Sequence, residues 1–259
     1  MDKGFVLITG ATAGFGAACA EVFANKGYNL VLTGRRNERL EKIKIKLTKE
    51  YNVEVQTLSF DVRDEQATNN EISTLNEKVK NNIRILINNA GLAVGKGPID
   101  SGLTDDWNRM IDTNVKGLLY VSRAVIPLLK QNGNAHIINI GSIAGKEVYP
   151  GGNVYCASKH AVDALSKAMR IDLVKHGVKV TNIAPGAAET EFSLVRFKGN
   201  ENQAKSVYDD YDPLVARDIA DVVLFAATRP QHVNLNDIVI MPTAQASSMV
   251  FHKSESEDK

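Results

Sequence analysis

Tyr155 and Lys159 stand four residues apart in a stretch, from about Asn153 to His176, whose apolar spacing predicts a helix. Their side chains therefore project from one face and can reach one site. A phenol and an ammonium so placed can do acid–base work. Free tyrosine titrates near 10, and bringing it to about 7 takes roughly 4 kcal/mol of selective stabilisation of the phenolate, which a neighbouring positive charge supplies. Tyr155 would then give a proton to a carbonyl oxygen under reduction, or take one from an alcohol under oxidation. Ser142, at the mouth of the preceding predicted strand, could hold the same oxygen. Asn114 could fix a water that passes the proton between Lys159 and solvent, or could simply be a polar residue that bends its helix. A Tyr-x-x-x-Lys spacing alone describes a half-buried tyrosine and a surface lysine equally well, so the surrounding elements must decide.

Gly4 to Asn25 reads as a strand, a glycine turn and a helix. Phe5-Val6-Leu7-Ile8 is an unbroken apolar run, which suits a central strand buried on both faces of a parallel sheet. Gly10, Gly14 and Gly16 let the backbone turn tightly and bring bare N–H groups to an anion, and the helix adds the positive end of its dipole. An ordinary glycine-rich turn is the alternative, made less attractive by the flanking strand and helix. A second strand, Asn29 to Thr33, stops at Gly34-Arg35-Arg36. In a dinucleotide-binding fold this position adjoins the adenosine ribose, where an acid would bind the 2′-hydroxyl of NAD. No acid stands there. Arg35 and Arg36 offer forks suited to a 2′-phosphate and so argue for NADP, against the alternative of solvated charge before a helix.

The same alternation continues. Strands are predicted over 53–60, 83–87, 135–140, 179–184 and 238–241, with helices over 37–51, 64–78, 105–131, 153–176 and 218–228. The expectation is an α/β fold of one domain, a Rossmann-type doubly wound parallel sheet of about seven strands, with ligands beyond the carboxyl ends of the strands. Asp61-Val62 would then address the adenine, and Asn88-Asn89-Ala90-Gly91 would brace the sheet and touch the cofactor. Residues 187–212, after Pro185-Gly186, form the longest stretch without periodicity, as functional loops often do. The domain is expected to span 1–253, with 254–259 a disordered tail.

Composition excludes several classes. With 31 basic and 30 acidic residues there is no general pull toward nucleic acid or membrane. No apolar run reaches the roughly 18 residues of a membrane span, and the chain enters its first strand with no room for a signal peptide, so a cytoplasmic protein is expected. Cys19 and Cys156 lack metal-ligand spacing, and His136, His160, His176, His232 and His252 show no metal-like pairing. Trp107, Phe192 and Phe197 read mainly as packing.

Taken together, the chain resembles the short-chain dehydrogenase/reductase family. The resemblance rests on Thr9-Gly10-Ala11-Thr12-Ala13-Gly14-Phe15-Gly16, Asn88-Asn89-Ala90-Gly91, Asn114, Ser142, Tyr155-Cys156-Ala157-Ser158-Lys159 and Pro185-Gly186, in family order. It implies that Gly10, Thr12, Gly14, Phe15, Gly16, Asp61, Val62, Asn88, Ala90, Gly91, Pro185 and Gly186 meet NAD(P) and that Thr190 meets the nicotinamide amide. It further implies catalysis by Asn114, Ser142, Tyr155 and Lys159, with the last two also on the cofactor, and a homotetramer. Gly151 to Tyr155, Thr190 to Gly199 and Pro242 to Gln245 look like the NADP-dependent 3-hydroxy acid dehydrogenases, which act on serine, allo-threonine and related acids, with sulfoacetaldehyde reductases as relatives. Ala187-Ala188 departs from the larger apolar residues common there, which bears on pocket shape. On this reading Arg196 grips the substrate's carboxylate or sulfonate, Tyr149 adds a hydrogen bond, and Gln245 or Phe251 closes the pocket. The alternative for Arg196 is a surface arginine paired with Glu189, Glu191 or Asp209. Alternative functions are a carbonyl reductase for an uncharged or acyl-carrier substrate and a non-catalytic NADP-binding regulator.

Overall fold

In the computed structural model, which describes residues 3–252, the first apolar run forms β1 (Phe5–Ile8), fully buried. The tail 254–259 lies outside the described residues. The chain then alternates through α1 (Gly14–Asn25), β2 (Asn29–Gly34), α2 (Asn37–Tyr51), β3 (Val55–Ser59), α3 (Glu65–Ser73), the single turn α4 (Glu77–Lys80) and β4 (Ile83–Asn88). Next come α5 (Thr104–Ile111), α6 (Leu118–Asn132), β5 (His136–Ile140), α7 (Asn153–Leu173) and β6 (Lys179–Pro185). The long segment after β6 carries β7 (Ala188–Glu189), α8 (Glu191–Arg196), α9 (Glu201–Ser206) and β8 (Leu214–Val215), and α10 (Ala216–Ala227) and β9 (Asp237–Ile240) complete the fold.

Seven strands form one parallel sheet in the order β3-β2-β1-β4-β5-β6-β9. From β1 the chain winds outward to β3, crosses back to β4 beside β1, and winds the other way. That reversal opens a crevice at the carboxyl ends of β1 and β4, where such sheets bind ligands. Alternate strand residues supply two apolar layers. Val6, Ile8, Leu30, Leu32 and Ile87 pack with Phe23 of α1, Leu40 of α2 and Val223 of α10. Phe5, Leu7, Val31, Leu86 and Ile137 pack with Ile72 of α3, Val125 of α6 and Val162 of α7. Helices on both faces explain the unbroken apolar runs of β1 and of most of β4.

Two helices differ from expectation. The helix predicted over 64–78 starts on the Asp64 cap, whose side chain accepts from Ala67 N at 2.9 Å, but α3 stops at Ser73. There the hydroxyls of Ser73 and Thr74 turn back to the carbonyls of Asn70 and Glu71, and Asn76 caps the separate turn α4. Side-chain bonds of this kind compete with helix continuation. The pattern over 105–131 is broken between α5 and α6 by a wide π turn, Asp112–Gly117. Such turns re-aim side chains near functional sites, and this one carries Asn114. No helix among the described residues is long and apolar enough to cross a membrane.

Candidate active site

A cleft of about 670 Å³ runs along the carboxyl ends of the strands, from Arg35 and Arg36 at one end to Tyr149 and Arg196 at the other. Tyr155, in the first turn of α7, is buried and shares the cleft with Ser142, whose hydroxyl acts to lower its pKa. Ser142 follows β5 and caps a short turn, its Oγ accepting from Ala144 N at 3.1 Å. This turn is pressed onto α7, since a Cβ on Gly145 would come within 2.5 Å of the Lys159 carbonyl. Lys159, one helical turn after Tyr155, is buried, donates to Ile140 O at 2.8 Å, and has its Nζ 6.0 Å from the Tyr155 ring centre.

The expected lowering of the Tyr155 phenol draws on an oxidised nicotinamide as well as on Lys159, and the chain's own groups do not supply it alone. Burial pushes the Tyr155 hydroxyl above the ordinary phenol range and Tyr149 adds to this, while the Ser142 hydrogen bond and the Arg196 charge only partly offset it. Burial also brings Lys159 down to about 8, because its ammonium is itself desolvated. The chain's own charges therefore do not ready Tyr155 as a base. A further positive charge in the cleft must do so.

Asn114 lies in the π turn that bends its helix, and its side chain is bonded on both sides. Its Oδ1 accepts from Leu92 N at 2.8 Å, and its Nδ2 donates to Leu92 O at 2.8 Å and Ser158 Oγ at 3.0 Å. With both amide protons committed, the side chain clamps the segment after β4 to α7. Gly91 lies between it and Lys159: a Cβ there would be 3.2 Å from Asn114 Oδ1 and 3.6 Å from Lys159 Nζ.

Gly10 and Gly14 adopt φ of +66° and +51°, conformations that favour glycine, and with Thr12 and Phe15 they line the cleft. The N-terminus of α1 has no side-chain cap, which leaves its amides for an anion in the cleft. Gly16 does not line the cleft. A Cβ there would strike Gly10 O and come within 2.5 Å of Asn89 Nδ2, so this glycine serves close packing. Asn88 faces away as well, donating to Ser122 Oγ at 3.0 Å and Asn139 Oδ1 at 2.9 Å in the core. As β4 ends, side chains alternate faces, and Asn89 is the one that turns toward the cleft, donating to Thr9 O at 2.8 Å. Ala90, Gly91, Val62, Pro185, Gly186 and Thr190 line the cleft as expected. Asp61 lines it too, with its carboxylate held by Arg63 at 2.7 Å and Arg35 at 3.7 Å.

At the substrate end, Arg196 Nη2 donates to Tyr149 OH at 3.0 Å. Its guanidinium carbon lies 5.3 Å from the Tyr149 ring centre and 5.8 Å from that of Tyr155. Its Nε is buried without a partner, and Arg196 forms no ion pair among the described residues. Glu191, one of its candidate partners, pairs instead with Arg36 and Arg39.

A sequence profile of short chain dehydrogenases matches residues 4–200. The chain belongs to this family. Sulfoacetaldehyde reductase 2 of Chromohalobacter salexigens is 48% identical over 244 residues, 94% of this chain and 96% of its own. The NADP-dependent 3-hydroxy acid dehydrogenase YdfG of Salmonella typhi is 43% identical over 251 residues, 96% and 99% of the two chains. A solved serine dehydrogenase, in a closed form complexed with NADP+, matches with a TM-score of 0.89 at 42% identity, covering 96% of this chain and 98% of the other.

One residue of this short-chain dehydrogenase escaped the sequence reading, and for others the partners were not legible. Arg39, one turn into α2, joins Arg36 on Glu191, and its signal was the three-residue spacing from Arg36. Arg36 itself is oriented by Thr12, whose Oγ1 accepts from Nη2 at 2.8 Å and Nε at 3.2 Å. Gln245 does not simply close the pocket. Its Oε1 accepts from Ala187 N at 2.7 Å and so fixes the start of the long segment, which no local pattern announced. Phe251 reaches the cleft and packs on Tyr211 at 5.2 Å between ring centres.

Proposed function

We propose that this short-chain dehydrogenase moves a hydride between NADP(H) and a small 3-hydroxy acid or its semialdehyde or keto partner, with Tyr155 as general acid/base. The observation that carries the substrate class is Arg196, a guanidinium with a buried, unpartnered Nε beside the Tyr155 ring. A buried donor left unmatched is costly, so an anion from the substrate is its natural complement. Sulfoacetaldehyde, serine and a 3-hydroxy acid, which the relatives' names print, all carry an acid group close to the reacting carbon.

The residues fit the cofactor. The uncapped N-terminus of α1 and the left-handed turns at Gly10 and Gly14 suit a pyrophosphate, and Arg36, steered by Thr12 with Arg39 and Arg35 near by, suits a 2′-phosphate. When bound, NADP supplies the hydride acceptor or donor and, oxidised, the positive charge that Tyr155 lacks. Arg196, with Tyr149 fixing one of its nitrogens, would grip the substrate's carboxylate or sulfonate and set the distance to the alcohol carbon. Ser142 would hold the alcohol oxygen by hydrogen bond while Tyr155 removes its proton in oxidation or returns one in reduction. Lys159 would favour the phenolate by its charge, Asn114 would keep the Leu92 segment against α7, and Thr190 would face the nicotinamide.

The proposal includes a homotetramer in the cytoplasm. Family membership supports the assembly, as do Val239 on the edge strand β9 and Phe225 on α10, both about half exposed. Light scattering checks the mass. The function is tested by absorbance at 340 nm, pairing NADP or NAD with serine, allo-threonine, 3-hydroxypropionate, 3-hydroxyisobutyrate and 2-hydroxyethanesulfonate. Turnover of at least one with NADP, and far less with NAD, is expected; preference for NAD would contradict the cofactor assignment.

A further inference from the structure

Glu191 is the first residue of α8, at the start of the substrate segment, yet its side chain reaches two arginines that lie more than 150 residues earlier in the chain. One carboxylate oxygen is 3.0 Å from Arg39 Nη1 and the other 3.4 Å from Arg36 Nη1. Arg36 in turn holds Thr12 of the glycine turn. A chain of polar contacts, Thr12 to Arg36 to Glu191 to Arg39, thus spans the cleft and ties its cofactor wall to its substrate wall.

Resting on the reading that Arg36 and Arg39 hold the 2′-phosphate of NADP, we propose that Glu191 is the built-in occupant of that phosphate site, displaced by an adenosine 2′-phosphate, and that the exchange frees the first turn of α8.

Charge counting favours exchange over sharing. The two guanidinium groups carry +2, and a 2′-phosphate carries about −1.5 to −2 near pH 7, as phosphate monoesters do. The phosphate alone neutralises the pair, whereas phosphate plus Glu191 leaves an excess negative charge where both anions want the same N–H groups. Burial opposes the charge of Glu191, but Arg39 first and Arg36 second outweigh it and hold the carboxyl below its usual range, so it is ionised and competes at neutral pH. The ion pairs are half exposed, with side-chain exposures of 45–51%, and exposed pairs are weak enough to be replaced by a dianion.

The other end of the helix has its own anchors. Lys198 pairs with the nearly buried Asp106 of α5 at 2.8 Å, and the Arg196 carbonyl accepts from Gly95 N at 3.1 Å. Lys198, Asp106 and Gly95 do not line the cleft. Loss of the Glu191 contacts therefore releases only the end of α8 next to Thr190 and leaves Arg196 in place. NAD, without the phosphate, gives Glu191 no cause to leave, so the substrate segment itself distinguishes the two cofactors.

The test uses adenosine 2′,5′-bisphosphate and 5′-AMP as probes, with the full chain and its Glu191→Gln variant. Calorimetry at fixed ionic strength should find the bisphosphate bound on the order of fivefold more tightly by the variant, with 5′-AMP within twofold. Hydrogen exchange of the wild type should show the amides of 191–194 exchanging faster with the bisphosphate and unchanged with 5′-AMP, with the Arg196 end unaffected by either; in the variant the amides of 191–194 should be fast already and indifferent to both. Equal bisphosphate affinity in wild type and variant overturns the displacement of Glu191. Exchange that ignores the bisphosphate in the wild type overturns the release of α8. A bisphosphate that binds wild type no better than 5′-AMP removes the phosphate reading of Arg36 and Arg39, and this inference with it.

Discussion

Replacing Arg196 by alanine should damage turnover of a 3-hydroxy acid and leave an uncharged alcohol of similar size almost untouched. The guanidinium spends one bond on Tyr149 and keeps Nε and its remaining protons for a ligand, enough for two parallel bonds to a carboxylate. Hydrogen bonds to charged groups contribute roughly 1.5–3 kcal/mol each, and removing one partner of a buried charge pair costs about 2–5 kcal/mol. At 1.36 kcal/mol per factor of ten, the lower bound is a loss of about thirtyfold in kcat/KM and the upper several thousandfold. Initial rates at 340 nm with 3-hydroxypropionate and with 1-propanol separate this from general damage, and the melting temperature of the variant checks the fold. Arg196→Lys, which keeps the charge and loses the fork, should fall between. Equal losses on both substrates, or none on either, would refute the clamp and return Arg196 to a structural role on Tyr149.

Tyr155→Phe removes a proton donor and little volume, so turnover should fall by about 10²–10⁴ while NADPH binding, followed by fluorescence, stays within a few-fold. Gly145→Ala forces a methyl toward the Lys159 carbonyl, and scanning calorimetry should register a loss of about 1–3 kcal/mol in stability; an unchanged melting point would mean that the turn yields freely. His136 is held near pKa 3 by burial and then by Lys179, against an ordinary 6.5. The unfolded chain takes up this proton first, so its contribution is intact above about pH 6.5 and is lost as pH falls toward 3, by up to about 1.4 kcal/mol per pH unit. Urea melts of wild type and His136→Gln between pH 7 and 4 should therefore converge or cross toward acid, and parallel curves would show that His136 is not the group responsible.

The fold was legible because it follows from patterns of short range. Unbroken runs such as Phe5–Ile8 and Ile83–Ile87 mark strands covered on both faces, and the seven-stranded parallel sheet follows from their alternation with helices. Site residues at fixed local spacing, Tyr155 with Lys159 and the glycines after β1, were equally readable. Two kinds of information were hidden. One is which way a side chain turns at the end of a strand: Asn88 enters the core and its neighbour Asn89 the cleft, although the sequence shows only a doublet. The other is who meets whom across the cleft. Asn114 spends its amide on Leu92, Asp61 is claimed by Arg63, and Glu191 crosses to Arg39, all contacts fixed by tertiary packing. The burial that raises the Tyr155 pKa belongs with these, since it is set by tertiary packing.

The central claim is that an NADP-dependent site selects its alcohol by the acid group that Arg196 receives. Its most direct test is kcat/KM of the wild-type enzyme with NADP for matched pairs, 3-hydroxypropionate against 1-propanol and 3-hydroxyisobutyrate against isobutanol. A preference of at least about thirtyfold for the acid in one pair, matching the lower bound of 2 kcal/mol for a buried charge pair, is predicted. Equal or better turnover of the uncharged alcohol in both pairs would contradict it.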